Sequence, residues 1–286
     1  MLVSGPVVIL HTMNSQLNSA PKPTELIEKD DSGNFQKLTK GMFKKAYEDF
    51  SGGDPGAAPW AQTKSVPEYF EKSLNSDWFQ NYRKQHPGKQ LTALDVGCGA
   101  GDISRDLQKF GFKVSGIDYE QTAIDEANKK SADLIDQVSP SYFVGSALDL
   151  DAALLNSEDK EFDLIYEFSL IHHLDPETRR QYMQGVYEHL LPGGKFAITC
   201  FTDTDTIAKT DKIVEYTDNG VTKAAKFSRH EGKGVPTFLL SELEIREAAE
   251  GLFSVDNVEY IDIVRFDKEG NRLPIAKRIK VLMTKK

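Results

Sequence analysis

Short apolar runs and amphipathic stretches alternate through the middle of the chain. Five apolar runs predict strands at residues 91–97, 112–118, 141–147, 161–168 and 195–201. Between these runs, apolar positions recur at helical spacing in residues 102–111, 122–135 and 175–194. A regular alternation of strands and helices is typical of a parallel sheet that is covered by helices on both faces. The pattern therefore predicts an α/β, doubly wound fold.

The alternation stops after residue 201. Residues 202–236 are polar and weakly patterned, and we interpret them as an insertion or a lid. Ser241 and Glu244 form a capping-box pair, which predicts that a helix begins there. Residues 255–266 and 276–286 predict two strands joined by a turn that contains Gly, Asn and Pro. We expect these two strands to form a hairpin that closes the sheet.

The N-terminal part of the chain has a different character. Residues 14–40 are polar, contain two prolines and show no sustained periodicity, which predicts a flexible tail. We place the tail at residues 1–40 and one folded domain at residues 41–286, with Met13 as an alternative translation start.

Charge and composition narrow the class of partner. The formal net charge is −9, and the basic residues form no cluster, so we expect no nucleic-acid partner. No apolar run approaches the roughly 18 residues that a membrane-spanning helix needs, so we expect no membrane partner. The two cysteines, Cys98 and Cys200, fit a reducing compartment, and the N-terminus lacks a signal-peptide pattern. We therefore predict a cytoplasmic protein.

The segment LDVGCGAGDIS, residues 94–104, joins the first predicted strand to a helix through three closely spaced glycines. Glycines in such a turn let the backbone approach a ligand closely. The spacing of Gly97, Gly99 and Gly101 is tighter than in the dinucleotide fingerprint, and Asp95 immediately before them would repel a diphosphate. A cationic ligand such as S-adenosylmethionine reverses the sign of that interaction. We therefore favour it over a nicotinamide dinucleotide, and we expect Cys98 to lie within the same binding turn.

The ends of the next strands complete a nucleoside pocket. Asp118 ends the second predicted strand, where a carboxylate can accept hydrogen bonds from both ribose hydroxyls. Tyr119 is placed to lie against the adenine or to cover the strand end. The remaining pocket residues come from the third and fourth strands, and they are Ser146, Ala147 and Leu148 at the adenine edge and Tyr166, Glu167 and Phe168 beneath the sulfonium.

Taken in order, these segments resemble the successive motifs of class I S-adenosylmethionine-dependent methyltransferases. The resemblance covers residues 91–201 and rests on LDVGCGAGDIS, VSGIDYE, GSALDL, FDLIYEFSLIHHL and LLPGGKFAIT. It implies a Rossmann-like sheet of seven strands, mostly parallel with an antiparallel last strand. It also implies S-adenosylmethionine as cofactor, with contacts from Asp95, the three glycines, Asp118 and residues 146–147. Many members of this family have an aspartate at the position of Ser146.

A narrower resemblance concerns the segment before the first strand. APWAQTKSVPEYF, residues 58–70, is similar to a segment of thiopurine and thiol methyltransferases in which the tryptophan that matches Trp60 lies near the cofactor. This chain has Ala61 and Thr63 where those enzymes favour aspartate and glycine.

The resemblance implies methyl transfer by in-line displacement to a small-molecule acceptor. Because a neutral thioether leaves, no acid is needed, and a base is needed only for a weak nucleophile such as a hydroxyl. His172, His173 and Glu167 are the candidates for a base, and we assign none of them. We expect no metal, and a monomer or a homodimer. A protein methyltransferase and a non-catalytic subunit that binds S-adenosylmethionine are the alternatives.

Overall fold

The computed structural model describes residues 7–11, 77–132, 139–204, 210–218, 221–228, 237–266 and 276–286. The helices α1 to α6 span Asp77–Gln85, Asp102–Lys109, Gln121–Ala132, Leu150–Ala153, Pro176–Glu188 and Glu242–Ala248. A 3-10 helix covers Ile171–His173. The strands β1 to β6 span Val7–His11, Thr92–Val96, Lys113–Asp118, Ser141–Val144, Phe162–Phe168 and Leu190–Phe201. The strands β7 to β11 span Thr210–Asp218, Val221–Ser228, Thr237–Phe238, Phe253–Phe266 and Ala276–Lys285.

The main sheet has the strand order β1-β10-β11-β6-β5-β2-β3-β4. Every neighbouring pair among β2 to β6 is parallel. By contrast, β11 is antiparallel to both β6 and β10. The seven predicted strands and the closing hairpin are therefore confirmed. β2 lies between β3 and β5, and the chain continues from β2 to β3 and β4 on one side and later to β5 and β6 on the other. Such a switch point opens a crevice at the carboxyl ends of the strands.

One strand lies within the predicted tail. Val7–His11 pair in parallel with Asp262–Phe266 of β10 and add an eighth strand to the sheet edge. Residues 12–40 lie outside the described part of the chain, so the boundary of the tail at residue 40 stays a prediction.

Side-chain alternation along the central strands divides the core into two layers. Leu94, Val96 and Ile165 pack with residues of α4, α5 and α6 on one face of the sheet. Ala93, Leu164 and Tyr166 pack with residues of α1 and α2 on the other face. The sheet is therefore covered on both sides, as the alternating pattern predicts.

The signals at helix ends are confirmed in α5 and α6. Asp175 immediately precedes α5, and its Oδ1 accepts a hydrogen bond of 3.0 Å from the amide of Thr178 in the first turn of the helix. In α6, the Glu244 amide donates to Ser241 Oγ and the Ser241 amide donates to Glu244 Oε2, which completes the predicted capping box.

The connection from α5 to β6 differs from the prediction. The helix ends at Glu188, and β6 already begins at Leu190, where the sequence predicted helix up to residue 194. Leu190 pairs with Phe162 and Lys195 pairs with Leu164, so a bulge absorbs the intervening residues. Gly193 adopts a φ of 74° inside that bulge, a conformation that favours glycine.

The segment 202–236 contains strands that its polar pattern did not predict. Within it β7 and β8 form an antiparallel hairpin, and β9, immediately after it, pairs with the end of β8. Charged residues interrupt the short runs of strand-forming residues here, so the periodicity is weak although the backbone pairing is regular. A role as a lid stays a prediction. In the part of the chain that the structure describes, no helix is long and apolar enough to span a membrane.

Candidate functional site

The glycine turn lies at the switch point and is hydrogen-bonded to the end of β3. The amides of Gly97 and Cys98 both donate to the carbonyl of Ile117, at 2.8 and 2.9 Å. The amide of Gly101 donates to the carbonyl of Cys98 at 2.9 Å. Gly97, Gly99 and Gly101 have φ values of 72°, 52° and 75°, so each occupies the left-handed region that favours glycine.

Packing inside the protein accounts for two of these glycines. A Cβ on Gly97 would lie 2.6 Å from Leu170 Cδ1, in the loop after β5. A Cβ on Gly101 would lie 2.7 Å from Tyr142 Cζ, on β4. The side chain of Cys98 is buried, and its Sγ lies 3.1 Å from the position of a Cβ on Gly116. The turn is therefore held between neighbouring side chains, and its contact with a ligand stays a prediction.

Asp95 supplies a buried carboxyl group directly below the turn. It is 1% exposed and accepts a hydrogen bond of 2.6 Å from Ser104 Oγ, in the first turn of α2. Burial raises the pKa of Asp95 to about 7, and the nearby charges of Asp118 and Asp102 add to the rise, whereas the Ser104 bonds oppose it. A ligand anion placed here would raise that pKa further, and a ligand cation would lower it.

Asp118 joins the end of β3 to the glycine turn. Its Oδ2 accepts from the Gly99 amide at 3.0 Å, and its Oδ1 accepts from the Glu120 amide at 2.9 Å. Burial raises the pKa of Asp118, and backbone hydrogen bonds from Glu120, Gly99 and Tyr119 oppose the rise. A carboxylate has about four acceptor positions, so the group keeps the capacity to accept a hydroxyl donor beside these amides. The ribose contact stays a prediction.

The end of β4 lies beside Asp118. The Gly145 amide donates to the Asp118 carbonyl at 2.9 Å, which fixes the following segment at the same edge. Ser146 is exposed, and its hydroxyl accepts from the Leu148 amide at 3.2 Å. Asp149 caps α4 by accepting from the Ala152 amide at 3.0 Å. Residues 145–148 thus follow β4 beside the end of β3, and Ala147, Leu148 and Tyr119 are each partly buried. Their contact with adenine stays a prediction.

Glu167 is turned away from Asp95. By alternation it lies on the face of the sheet that carries Ile165, whereas Asp95 lies on the opposite face with Ala93. Its Oε2 accepts from the amides of Leu170 and Ile171 at 2.8 and 2.9 Å. The described contacts of Glu167 are therefore with the loop after β5, and its predicted place beneath a sulfonium stays a prediction.

The histidine pair follows that loop. His172 is fully buried, and its Nδ1 accepts from the Phe201 amide at 3.3 Å. Its ring lies 4.5 Å from the Phe201 ring and 4.2 Å from the His173 ring, measured between centroids. The first histidine thus packs within the protein, and only His173 is partly exposed. Trp60 and its segment lie outside the described residues.

Three residues of this site were not predicted. Ser104 is buried with Leu107 on the inner face of α2, and that spacing of three residues is the signal that identifies it. Leu170 and Tyr142 contact the glycine turn from segments distant in sequence, and no local pattern indicates those contacts.

Comparison with known proteins bears on this site directly. The family model described as a methyltransferase domain matches residues 93–194, the segment that carries β2, the glycine turn and the ends of β3 to β5. The mixed sheet, with β11 antiparallel, also agrees with the fold of solved methyltransferases. About a third of the chain, residues 93–194, is thus similar to known methyltransferase domains.

Over part of its length, the chain is similar to methyltransferases whose names differ in the acceptor. It is 28% identical to sterol 4-C-methyltransferase strm-1 of Caenorhabditis elegans over 145 residues, which are 50% of this chain and 40% of that protein. It is 30% identical to the ubiquinone biosynthesis O-methyltransferase of Rickettsia conorii over 115 residues, 40% of this chain and 36% of that protein. The chain thus spans less than half the length of these two relatives.

A solved structure shares the fold over a larger part of the chain. The magnesium protoporphyrin IX methyltransferase of Synechocystis PCC 6803, whose structure contains bound S-adenosylmethionine, aligns with a TM-score of 0.53 and 13% identity. The alignment covers 87% of this chain and 97% of that one. At this identity the likeness concerns the fold alone.

Proposed function

We propose that the protein binds S-adenosylmethionine at the glycine turn and transfers its methyl group to a small-molecule acceptor. The observation that carries this proposal is the pair of carboxyl groups, Asp95 and Asp118, that flank a turn of three left-handed glycines. Burial raises the pKa of both carboxyl groups, so a bound cation would stabilise their ionised forms, which burial disfavours. A dinucleotide diphosphate would add repulsion at the same place.

The residues present fit the parts of this cofactor. Asp118 would accept from a ribose hydroxyl with the acceptor capacity that the Gly99, Tyr119 and Glu120 amides leave available. Asp95 would attract the amino-acid end from below the turn. Tyr119 and the partly exposed segment of residues 146–148 would border the adenine. Trp60 remains a candidate cofactor contact from the sequence alone.

The cofactor supplies an electrophilic methyl group on a positively charged sulfur. The contribution of the chain is to bind and orient two reactants, for which up to about 7–11 kcal/mol of the barrier is available in well-aligned systems. No acid needs to assist a neutral leaving group. His172 already accepts from the Phe201 amide and lies fully buried, so the structure offers no reason to assign it as a base.

A small acceptor is supported by charge and by the relatives. The formal net charge of −9 disfavours a nucleic-acid substrate. The relatives named above are, by their names, a sterol methyltransferase and an O-methyltransferase of ubiquinone biosynthesis, and the solved neighbour is a magnesium protoporphyrin methyltransferase. The resemblance of residues 58–70 to thiopurine and thiol methyltransferases adds thiols to the candidate acceptors. A protein acceptor is the alternative.

An acceptor screen tests this proposal. Purified protein is incubated with S-adenosylmethionine and separate panels of phenols, sterols, thiols and amines, and S-adenosylhomocysteine is measured by mass spectrometry. We expect turnover with at least one small-molecule class and none with unfractionated protein substrates. Turnover only with proteins would favour the alternative. Tight cofactor binding without turnover on either panel would favour a non-catalytic subunit.

A further inference from the structure

The turn at the end of β5, residues 168–171, has a backbone conformation that is unusual for residues other than glycine. Ser169 has a φ of 67° and is the single non-glycine residue with positive φ in the described part of the chain. Its amide donates to the Thr199 carbonyl of β6 at 2.8 Å. A side chain in the left-handed region is unfavourable, so such a conformation persists only when its surroundings fix it.

Leu170 places this turn directly against the glycine turn. A Cβ on Gly97 would come within 2.6 Å of Leu170 Cδ1 and 3.5 Å of Leu170 Cβ. The backbone of Gly97 and the side chain of Leu170 are therefore in close contact. A shift of the turn after β5 would remove the support on this side of the glycine turn.

Glu167 is the residue that holds the turn. One carboxyl oxygen, Oε2, accepts from both the Leu170 and the Ile171 amides, at 2.8 and 2.9 Å. The side chain is fully buried, and its other oxygen, Oε1, has no hydrogen-bond partner among the described residues. Among the described residues, the hydrogen bonds of this carboxyl group are thus with the backbone of the turn and not with a cationic side chain.

We propose that Glu167 is a positioning residue, which fixes the turn of residues 168–171 and through Leu170 supports Gly97 in the geometry that binds the cofactor. The proposal rests on the cofactor site proposed above. In this role Glu167 acts on the cofactor site through the turn and does not itself contact the cofactor. The role is also distinct from a general contribution of a buried acid to folding.

The hydrogen bonds that Glu167 accepts determine which substitutions test its role. Burial raises the pKa of Glu167 to about 8, although the two loop amides oppose the rise and Asp95 adds to it. The titratable groups that interact with Glu167 are the Asp95 carboxyl on β2, the Tyr182 phenol on α5 and the Cys200 thiol on β6, and burial raises the pKa of the phenol and of the thiol, which keeps both uncharged. Glutamine reproduces the protonated carboxyl group, with one acceptor for both amides, whereas leucine fills the space without an acceptor.

Two measurements test the proposal on Glu167→Gln and Glu167→Leu. The first is hydrogen exchange of residues 168–171 without cofactor, which we expect to be unchanged in Glu167→Gln and faster in Glu167→Leu. The second is calorimetry with S-adenosylmethionine. We expect less than about threefold weaker binding in Glu167→Gln and about tenfold or more in Glu167→Leu, because leucine removes both hydrogen bonds to the turn.

Asp163→Ala is the matched control, because Asp163 is a buried carboxyl group at the opposite end of the same strand. We expect it to lower stability without weakening cofactor binding or exposing residues 168–171. If it weakens binding as much as Glu167→Leu does, the effect is one of general stability and the proposal is overturned. Wild-type exchange and wild-type affinity in Glu167→Leu would also overturn it.

Leu170→Ala tests the second half of the proposal and serves if Glu167→Leu does not fold. It should weaken S-adenosylmethionine binding while Glu167 and its acceptor oxygen remain, and unchanged affinity overturns the proposed support of Gly97. The exchange measurement needs no cofactor. If the wild-type protein itself fails to bind S-adenosylmethionine, the proposed function fails, while exchange still reports whether Glu167 holds the turn.

Discussion

Replacement of Gly101 by alanine tests the account of the glycine turn in terms of packing. Gly101 has φ 75° and ψ 19°, a left-handed conformation that costs alanine about 1–2 kcal/mol. The new Cβ would lie 2.7 Å from Tyr142 Cζ and 2.9 Å from Cε1. Tyr142 cannot move away freely, because its hydroxyl is within 3.1 Å of Ser131 Oγ. Such overpacking costs about 1–3 kcal/mol more.

The expected total for Gly101→Ala is therefore about 2–5 kcal/mol of lost unfolding free energy. In a Tyr142→Val background the ring is absent, and only the conformational part of about 1–2 kcal/mol should remain. The coupling between the two sites, about 1–3 kcal/mol, is the quantity to measure. Urea unfolding of the four proteins, followed by far-ultraviolet circular dichroism, completes this double-mutant cycle.

Gly251→Ala is the control for the part of the free-energy cost that comes from backbone conformation. Gly251 has a φ of 81°, and no atom lies within 4 Å of the position of its Cβ. Its replacement should cost about 1–2 kcal/mol, equally with and without Tyr142. An equal cost of Gly101→Ala in both backgrounds would refute the packing explanation and leave conformation as the sole reason for the glycine.

Two further predictions concern buried carboxyl groups at the two ends of β5. Asp163 accepts from Tyr82 Oη at 2.8 Å and from the Thr92 amide at 2.9 Å, so Asp163→Ala should lose about 2–4 kcal/mol of unfolding free energy in urea. For Glu167, the pKa rises from 4.5 to about 8 on folding, so the folded state holds a proton that the unfolded state releases in this range. Its contribution to stability is therefore complete below pH 4.5 and is lost towards pH 8, by up to ~1.4 kcal/mol per pH unit. Urea unfolding between these limits should show Glu167→Gln gaining stability relative to the wild type as the pH rises.

The Asp163 prediction is contradicted by wild-type stability of the alanine variant. Burial would raise the pKa of Asp163, but hydrogen bonds from Lys89, Thr92 and Tyr82 hold it below its usual range. The Glu167 prediction is contradicted if the wild type and Glu167→Gln change in parallel with pH, since Asp95 titrates in both proteins.

The parts of this structure that were predictable from the sequence have local causes. The capping box of Ser241 and Glu244 and the cap at Asp175 are formed by residues three apart, so a short segment contains both partners. Asp118 was assignable to a strand end because an apolar run stops there. The glycine turn was recognisable because its three positive φ values require glycine.

The remaining features depend on partners that are distant along the chain. Tyr142 covers Gly101 across 41 positions, and alternation in an edge strand indicates a face but no partner. The hairpin of β7 and β8 is held by backbone pairing, which a polar pattern does not reveal. Alternation with Ile165 predicts the face of the sheet on which Glu167 lies. Its hydrogen bonds to the Leu170 and Ile171 amides depend on the turn that contains Ser169 at positive φ, which alternation does not predict.

Titration calorimetry of the wild type and Asp118→Ala with S-adenosylmethionine tests the central claim most directly. The account predicts that the wild type binds one cofactor per chain and that Asp118→Ala binds about 10- to 150-fold more weakly, as expected for the loss of about 1.5–3 kcal/mol of hydrogen bonding to a charged group. Equal affinity of the two proteins, or no binding of S-adenosylmethionine by the wild type, would contradict it.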